Sequence, residues 1–343
     1  MLSFSCDYME GAHPAILRRL ADINLDKNTG YGLDPYCEQA RQLIREACHR
    51  DDAQVHFLVG GTQTNTVVID AMLRHNEGIL AATSGHINVH EAGAIEACGH
   101  KVIPMAANLG KVDIDALEQY LSLATAEFNA VGWEHYVVPR ALYISLPTEL
   151  GTLYSLAELR RLRALCDQYN LFLFVDGARL GYGLSAPACD VTLRDLAQLA
   201  DVFYIGGTKV GALFGEAVVL LNKEIRLTRG LIKHRGAMLA KGWLLGVQFA
   251  TLMTDGLYWH IARNAVEQAL RLRQAMIDKG YELYIDSPTN QQFFVIDNER
   301  LTVLQQSVGV DIIEPVDDSH TIIRLCTSWA TTDEQIDHLI NLL

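Results

Sequence analysis

The sequence predicts an α/β fold: a mostly parallel central sheet with helices on both faces, followed by a smaller α+β domain at the C-terminal end. Three observations predict it. Short apolar segments alternate with amphipathic segments up to about residue 250. Unbroken apolar runs of this length are typical of parallel strands that are buried on both faces. After Met253 the pattern changes to a long helical segment and strand-like segments, so a second domain is expected.

Each element follows from its local pattern. The apolar, strand-like segments of the first part of the chain are 55–61, 78–82, 100–105, 141–146, 171–176, 200–207 and 216–221. The helical segments between them are 35–49, 62–73, 89–97, 112–123 and 156–169. The last part contains a helix over 258–279, strands over 281–286 and 291–297, and an apolar segment, 321–329, before a terminal helix. We therefore expect an N-terminal arm (1–25), a large domain (26–250) and a small C-terminal domain (251–343).

Composition narrows the class of protein. Half of the 343 residues are hydrophobic and 20% are charged, which favours a large folded core over disorder. The net charge of -13 argues against a nucleic-acid surface, because phosphates would be repelled. The sequence shows no signal peptide and no apolar stretch of membrane-spanning length. Its seven scattered cysteines are typical of free thiols, so we expect a cytoplasmic protein without membrane association.

Three polar segments follow predicted strands. Asp176 ends an apolar strand, Lys209 follows the strand at 200–207, and GGTQTN occupies 60–65 between a strand and a helix. Ligands of open parallel sheets bind beyond the carboxyl ends of strands. Taken singly, each segment has an ordinary explanation as a turn acid, a solvent-seeking lysine or a tight glycine turn.

Together the three segments match one chemical task. A lysine amine of lowered pKa is a nucleophile toward an aldehyde, and a helix N-terminus after glycines binds phosphate. An acid at a neighbouring strand end pairs with a protonated ring nitrogen. These are the requirements of pyridoxal phosphate, whereas a dinucleotide is disfavoured because its glycine fingerprint is missing.

The chain resembles the threonine aldolases, within the β-eliminating lyase group of fold-type-I enzymes that use pyridoxal phosphate. The similarity runs through SFSCDYMEGAHP, GYGLDP, GGTQTN, SGHINVHEAGA, PTELGTLYSL, VDGARLG, GGTKVGALFGEAVV and IIRLCTSW. These motifs occur in the family order and span nearly the whole chain.

The resemblance implies roles for the matching positions. Lys209 would hold the cofactor as a Schiff base and Asp176 would face its ring nitrogen, with His86 stacked on the ring. The remaining cofactor contacts would come from Gly60, Gly61, Thr62, Arg179 and Thr208. The substrate contacts would come from Ser5, Tyr31, Arg179 and Arg324, where the guanidinium of Arg324 pairs with the amino-acid carboxylate. His90 lies four residues after His86, but no third ligand accompanies the pair, so no metal site is expected.

Two positions depart from the family pattern. Many members carry a histidine where this chain has Glu149, which makes Glu149 a candidate for moving the proton of the β-hydroxyl group. Many also carry an arginine that reaches a neighbouring subunit's phosphate, where this chain has Leu239. Arg235 or Lys241 is a candidate replacement.

The implied activity is cleavage of threonine or allo-threonine to glycine and an aldehyde. Alternatives that use the same cofactor are a β-eliminating or aminotransferase-like reaction, or an aldolase for bulkier substrates such as phenylserine. A non-catalytic protein is a further alternative, disfavoured because both Lys209 and Asp176 are present. The resemblance also implies a homo-oligomer, a dimer or a dimer of dimers, with Tyr31 and the segment 233–241 at the subunit interface.

Overall fold

The computed structural model describes residues 2–128 and 135–343, with side chains described for 2–124 and 135–343. The strands, numbered in chain order, are β1 (Leu2–Ser3), β2 (Gln54–Leu58), β3 (Glu77–Ala82), β4 (Lys101–Met105), β5 (Ala107–Asn108), β6 (Lys111–Val112), β7 (Val138–Ser145), β8 (Phe172–Asp176), β9 (Val202–Gly206), β10 (Glu216–Leu220), β11 (Glu282–Ile285), β12 (Gln291–Asp297), β13 (Val308–Gly309), β14 (Asp311–Pro315) and β15 (His320–Cys326).

The α-helices are α1 (Pro14–Asp22), α2 (Pro35–Cys48), α3 (Gly61–Met72), α4 (His86–Val89), α5 (Ala94–Ala97), α6 (Ile114–Phe128), α7 (Leu156–Gln168), α8 (Leu180–Ser185), α9 (Leu193–Leu199), α10 (Arg229–His234), α11 (Trp243–Met253), α12 (Leu257–Asp278), α13 (Asn298–Leu304) and α14 (Asp333–Leu342). A short 3-10 helix at Thr254–Gly256 joins α11 to α12. Local signals fix several helix starts. For example, the side chain of Ser155 accepts a hydrogen bond from Glu158 N, and the Glu158 side chain bonds back to the Ser155 backbone, which closes a capping box.

The central sheet has the strand order β2-β10-β9-β8-β7-β3-β4. Neighbours from β9 to β4 pair in parallel, and β10 is antiparallel to both β9 and β2. Strands β8, β9 and β10 are buried at every position, because helices cover both faces of the sheet. The α/β class and the mostly parallel sheet are thus confirmed.

The parallel arrangement brings the carboxyl ends of β2, β3, β7, β8 and β9 to one edge of the sheet. The antiparallel β10 begins at that same edge, since Glu216 pairs with Gly206 at the end of β9. Gly177 allows the chain to pass close to β9, because a Cβ atom there would lie 1.7 Å from the carbonyl oxygen of Tyr204. The segments that follow these strands therefore converge on one site.

The C-terminal part forms a separate four-stranded antiparallel sheet with the order β11-β12-β15-β14. The N-terminal arm joins it, because β1 pairs in parallel with β13 and Phe4 is buried in the same hydrophobic cluster as Phe294 and Leu325. The arm thus contacts the residues of the last part of the chain before α1 packs against α11.

One predicted helix is wrong. The segment 89–97 was expected to be continuous, but α4 ends at Val89 and α5 begins at Ala94. Ala92 and Gly93 between them have φ values of 51° and 73°, which belong to the left-handed region and end a right-handed helix. The helix expected over 112–123 begins two residues later, at Ile114, because Lys111–Val112 forms β6.

Within the described ranges, no helix has both the length and the apolar character that crossing a membrane requires.

Candidate active site

The site lies at the sheet edge where the parallel strands end, and Asp176 is its buried acid. Asp176 is the last residue of β8 and is 5% exposed. Its Oδ1 accepts a hydrogen bond from Ala178 N at 2.9 Å. Its Oδ2 accepts hydrogen bonds from Tyr143 Oη and, at 3.2 Å, from Asn65 Nδ2. All of these contacts use the carboxylate as an acceptor, so the group is rigidly held.

Lys209 follows the neighbouring strand β9 through the turn Gly206–Gly207–Thr208. Burial, and after it the Arg179 charge, lower the pKa of Lys209, while Asp7 and Asp176 act in the opposite direction. An amine with a lowered pKa has a larger neutral, nucleophilic fraction. Lysine and acid thus stand at adjacent strand ends, within electrostatic range of each other.

A second buried acid, Glu216, holds the turn that carries Lys209. Its Oε1 accepts a hydrogen bond from Thr208 Oγ1 at 2.8 Å, and its Oε2 accepts one from Gly207 N at 3.2 Å. Burial raises the pKa of Glu216 to about 8, opposed by the Thr208 hydrogen bond and the Lys209 charge. Thr208 therefore has a structural contact to Glu216 in addition to the cofactor contact expected of it.

Helix α3 begins at Gly61, directly after β2, and points its N-terminus at the same edge. Its N-cap is Gly60, which has no side chain that could cap the helix. The first backbone hydrogen bond of the helix runs from Thr64 N to Gly60 O. The N–H groups of Gly61 and Thr62 precede that bond and are oriented as donors at a helix N-terminus. This end of a 12-residue helix is suited to bind a phosphate.

His86 is the first residue of α4, after β3. Its Nδ1 lies 2.7 Å from Oε1 of Glu91, and Glu91 is a buried residue. Burial acts to lower the pKa of His86, but the Glu91 hydrogen bond and the Asp176 charge raise it above the ordinary histidine value. Asn65 Nδ2 donates to the same Glu91 oxygen at 2.7 Å, so the imidazole belongs to a chain of polar contacts that reaches Asp176.

Glu149 lies beside His86, after β7. Its Oε1 accepts hydrogen bonds from the backbone N–H of His86 at 2.9 Å and from Ser145 Oγ at 2.7 Å. Burial raises the pKa of Glu149, partly offset by the Ser145 hydrogen bond. The residue that departs from the family pattern thus adjoins the predicted ring-stacking histidine.

Two arginines approach the site from different parts of the chain. Arg179, at the N-cap of α8, donates from Nε and Nη2 to the two oxygens of Asp7 at 2.7 and 3.0 Å. Arg324, on β15, contacts Asp311 Oδ2 at 2.7 Å and donates to Gln291 Oε1 at 3.0 Å. The buried Nε of Arg324 has no hydrogen-bond partner among the described residues.

His90 marks where these cations meet. Burial is the largest cause that lowers the pKa of His90, followed by the charges of His86, Arg324, Arg179 and Lys209. Four of the predicted site residues thus lie within electrostatic range of one histidine. Acids lie in the same region, since Arg179 is paired with Asp7 and Arg324 with Asp311.

Two predicted residues make contacts with residues outside this cluster. The Ser5 hydroxyl contacts Ser3 Oγ at 3.1 Å and Met9 Sδ at 3.6 Å. Tyr31 is 44% exposed, and its ring lies 5.0 Å from Lys233 Nζ. The expected Tyr31 role depends on a neighbouring subunit, as does that of the segment 233–241.

Arg235, one candidate replacement for the missing phosphate-contacting arginine, is already paired. Its Nε donates to Asp70 Oδ2 of the same chain at 2.8 Å, and the pair with Asp70 raises the pKa of Arg235. This contact holds one face of the guanidinium in its own chain, and Arg235 and Lys241 both stay candidates.

A cavity of about 850 Å³ lies away from this edge, lined by Glu77, Val138, Phe172 and other residues near the amino ends of β3, β7 and β8. It contains none of the predicted catalytic groups. Among the described residues, no cluster of histidine, cysteine or acidic side chains could hold a metal ion.

Sequence reasoning missed five polar residues of the site: Asp7, Asn65, Glu91, Tyr143 and Glu216. Four of them occur inside the motifs SFSCDYMEGAHP, GGTQTN, SGHINVHEAGA and GGTKVGALFGEAVV. A signal was available for Glu216, because charged residues are rarely buried unless they are paired and Glu216 lies among apolar neighbours in ALFGEAVV. Tyr143 sits in an apolar strand and carried no such signal.

The residues present fit pyridoxal phosphate. An acceptor-only carboxylate, an amine of lowered pKa and a helix N-terminus match its ring nitrogen, its aldehyde and its phosphate group. This fold, with the lysine and the acid at neighbouring strand ends, defines a fold-type-I enzyme that depends on pyridoxal phosphate. The chain belongs to the beta-eliminating lyase family, whose sequence model matches residues 4–298.

Three known proteins illustrate the relationship. The chain is 42% identical to threonine aldolase of Leishmania major, with a TM-score of 0.95 over 100% of this chain and 98% of that one. It is 24% identical over 306 residues to the low specificity L-threonine aldolase of Pseudomonas aeruginosa, covering 88% of this chain and 86% of that protein. A histidinol-phosphate aminotransferase from Clostridium acetobutylicum shares the fold, with a TM-score of 0.73 at 13% identity over 100% and 98% of the two chains.

Proposed function

We propose that this lyase is a threonine aldolase, which cleaves threonine or allo-threonine to glycine and acetaldehyde. The observation that carries the proposal is the full-length match to the Leishmania major threonine aldolase at 42% identity. The arrangement of Lys209, Asp176, His86 and Glu149 at one sheet edge supports it. A preference for bulkier β-hydroxy amino acids is not favoured by these relatives.

Pyridoxal phosphate, when bound, supplies an acceptor for the electron pair released as the Cα–Cβ bond of the substrate breaks. Lys209 would hold this group, Asp176 would face its ring nitrogen, and the N–H groups of Gly61 and Thr62 would face its phosphate. The chain's own part in the reaction is to orient the amino acid and to move two protons.

Arg324 and Arg179 would orient the substrate by its carboxylate. Arg324 has a buried Nε with no hydrogen-bond partner in the described part of the chain, and a guanidinium binds a carboxylate through two parallel hydrogen bonds. Asp311 and Gln291 hold the other nitrogens of Arg324 in place. Binding the carboxylate at this point would fix the Cα bonds relative to the cofactor ring, which determines the bond that breaks.

His86 and Glu149 would move the proton of the β-hydroxyl group. Cleavage requires that this proton leaves as the C–O bond becomes a carbonyl, and that Cα gains a proton to give glycine. Glu149 accepts a hydrogen bond from the His86 backbone, so its carboxyl lies beside the residue that carries the imidazole. Both have raised pKa values, as suits groups that exchange protons near neutral pH.

We further propose that the enzyme works as a homodimer or a dimer of dimers with shared sites. Tyr31 and Leu33 are 44% and 61% exposed, and Tyr31 contacts Lys233 and Ala240 of the segment 233–241. Tyr31 adopts a φ of 61°, a strained conformation for a bulky residue that is typical of functional positions. A cytoplasmic location is proposed as well, since all seven cysteines are free.

The test is a product analysis. The purified enzyme with added pyridoxal phosphate is incubated with threonine, allo-threonine or phenylserine at equal concentrations, and glycine, aldehyde, ammonia and 2-oxo acid are quantified. Equal amounts of glycine and acetaldehyde are expected, and Lys209→Ala should lose both the activity and the visible absorption band of the bound cofactor. The matched control Lys279→Ala, at the exposed end of α12, keeps both. Ammonia and a 2-oxo acid without glycine would contradict the proposal.

A further inference from the structure

Two buried residues without an assigned role, Asn65 and Glu91, connect the predicted ring-stacking histidine to the predicted ring-nitrogen acid. Glu91 Oε1 lies 2.7 Å from His86 Nδ1 and accepts a hydrogen bond from Asn65 Nδ2, also at 2.7 Å. The same Asn65 nitrogen also contacts Asp176 Oδ2 at 3.2 Å. An amide nitrogen carries two hydrogens, so Asn65 can donate one to each carboxylate and keep the two acids at a fixed distance.

The backbone places Glu91 where it can do this. Glu91 is followed by Ala92 and Gly93, both in the left-handed region with φ values of 51° and 73°. Alanine in this region is strained, and strain of this kind persists where the surrounding structure needs it. The turn ends the segment after α4 and directs the Glu91 side chain, which is 0% exposed, back toward His86.

The Glu91 contact determines which ring nitrogen of His86 is available. Nδ1 is committed to the carboxylate, whereas Nε2 has no hydrogen-bond partner among the described residues. A carboxylate beside Nδ1 favours the tautomer with the proton on Nδ1 when the ring is neutral. The free Nε2 then carries the lone pair that accepts a proton.

The charges that face His86 come from several elements. Glu91, Asp176 and Glu149 are the acids, and Lys209 and His90 are the bases. The Glu91 hydrogen bond is the largest of the causes that raise the pKa of His86. Removing the charge of Glu91 alone should therefore lower the pKa of the imidazole measurably.

We propose that Glu91 and Asn65 are positioning residues for the aldolase reaction. Glu91 fixes the ring orientation and the tautomer of His86, and Asn65 holds Glu91 in register with Asp176. The catalytic role of these two residues rests on the proposed function. The expected tautomer and pKa of His86 do not depend on it. They can therefore be tested without measuring turnover.

The direct test is a pH titration of the holoenzyme labelled with ¹⁵N-histidine, followed by NMR, with the His86 signals assigned by their loss in His86→Asn. In the unsubstituted enzyme the neutral ring should carry its proton on Nδ1, and its pKa should lie above the ordinary value of about 6.5. A neutral ring with its proton on Nε2 would overturn the proposal, and this measurement needs no further variant to fold.

Glu91→Gln isolates the charge. Glu91 Oε2 has no partner among the described residues, so a glutamine carbonyl can take the place of Oε1 and accept both hydrogen bonds while the negative charge is removed. The pKa of His86 should then fall, because the hydrogen bond to an ionised acceptor is the largest cause that raises it. In Asn65→Ala the single tautomer should give way to a mixture, because Glu91 is no longer held.

Asp70→Asn is the matched control, since it removes the acid that contacts a different histidine, the buried His100, at 3.3 Å. It should leave the His86 signals unchanged. An unchanged His86 titration in Glu91→Gln, with glycine still formed by the unsubstituted enzyme, would overturn this inference alone. The expected tautomer and shift, with no glycine formed from any substrate, would leave the positioning of His86 in place and refute the proposed function.

Discussion

Asp7 and Arg179 form a buried, two-point ion pair that joins three parts of the chain. Arg179 Nε and Nη2 lie 2.7 and 3.0 Å from the two oxygens of Asp7, and Asn290, the residue before β12 of the C-terminal sheet, donates to the same carboxylate at 2.8 Å. Burial acts to raise the pKa of Asp7, but the Arg179 charge and its hydrogen bonds lower it to about 2. The arm, the central sheet and the C-terminal sheet therefore meet at one carboxylate beside the site.

Replacing Asp7 with asparagine should destabilise the protein and weaken substrate binding. The change leaves the buried Arg179 charge without its partner, which typically costs about 3 kcal/mol or more. We expect a lower midpoint in urea unfolding, measured at a fixed protein concentration, and a raised KM for threonine because Arg179 is no longer held in place.

The double variant Asp7→Asn with Arg179→Gln serves as the control for this pair. Because it removes both charges, its loss of unfolding free energy should be smaller than the sum of the two single losses. Additive losses would show that the two side chains contribute independently, contrary to the geometry. The pair also predicts a pH effect, since Asp7 stabilises the fold above its ordinary pKa and this contribution is lost as the pH falls toward 2.

The fold and the centre of the site followed from the sequence for a physical reason. Strands buried on both faces are continuously apolar, so their ends are visible as the first polar residue after the run. Asp176 is predicted in this way, Lys209 follows the run at 200–207 after Thr208, and parallel pairing places both at one edge. The short crossover connections leave few other arrangements.

The partners of these residues could not be predicted in the same way. Asp7 and Arg179 are separated by 172 positions, and Asn290 contacts Asp7 from the other end of the chain. Such contacts depend on how the N-terminal arm crosses the two sheets, and no local sequence pattern predicts that path. The break between α4 and α5 was missed for a different reason, because Ala92 gives no sign that it adopts a left-handed conformation.

Arg324→Gln should raise the KM for threonine at least about tenfold with a smaller effect on kcat. The reason is that a guanidinium contributes charge-assisted hydrogen bonds to a carboxylate, each stronger than a neutral one, and these are formed in the bound substrate as well as during the reaction. Steady-state kinetics with threonine, under saturating pyridoxal phosphate, measures the change. Arg271→Gln is the control. Arg271 lies on α12 and pairs with Asp333 and Asp337 of α14, and its replacement should leave KM unaltered. Equal KM values for both variants would exclude Arg324 from the substrate site.

Glu149→Gln should lower kcat by about a hundredfold or more, because general acid–base groups typically contribute at least this factor. The carboxyl group acts as a base only when ionised, so activity should rise as the pH rises through the raised pKa of Glu149. That limb of the pH profile should disappear in Glu149→Gln.

Ser145→Ala provides the companion measurement for Glu149. The Ser145 hydroxyl donates to Glu149 Oε1 at 2.7 Å and lowers the pKa of that carboxyl. Without the hydroxyl, the pKa should rise and the limb should move to higher pH while much of kcat remains. A profile of kcat/KM that is unchanged in both variants would assign the proton transfer to another group.

Tyr31 should act in the site of a neighbouring subunit, which subunit mixing can test. Tyr31→Ala and Lys209→Ala homodimers should each have little activity. When the two are unfolded and refolded together, half of the dimers are mixed, and each mixed dimer has one site with both residues intact and one with neither. The mixture should therefore recover about a quarter of the unsubstituted activity, as two-fold symmetry requires for a shared site. If Tyr31 served its own subunit instead, every site in every dimer would lack one residue, and mixing would restore nothing.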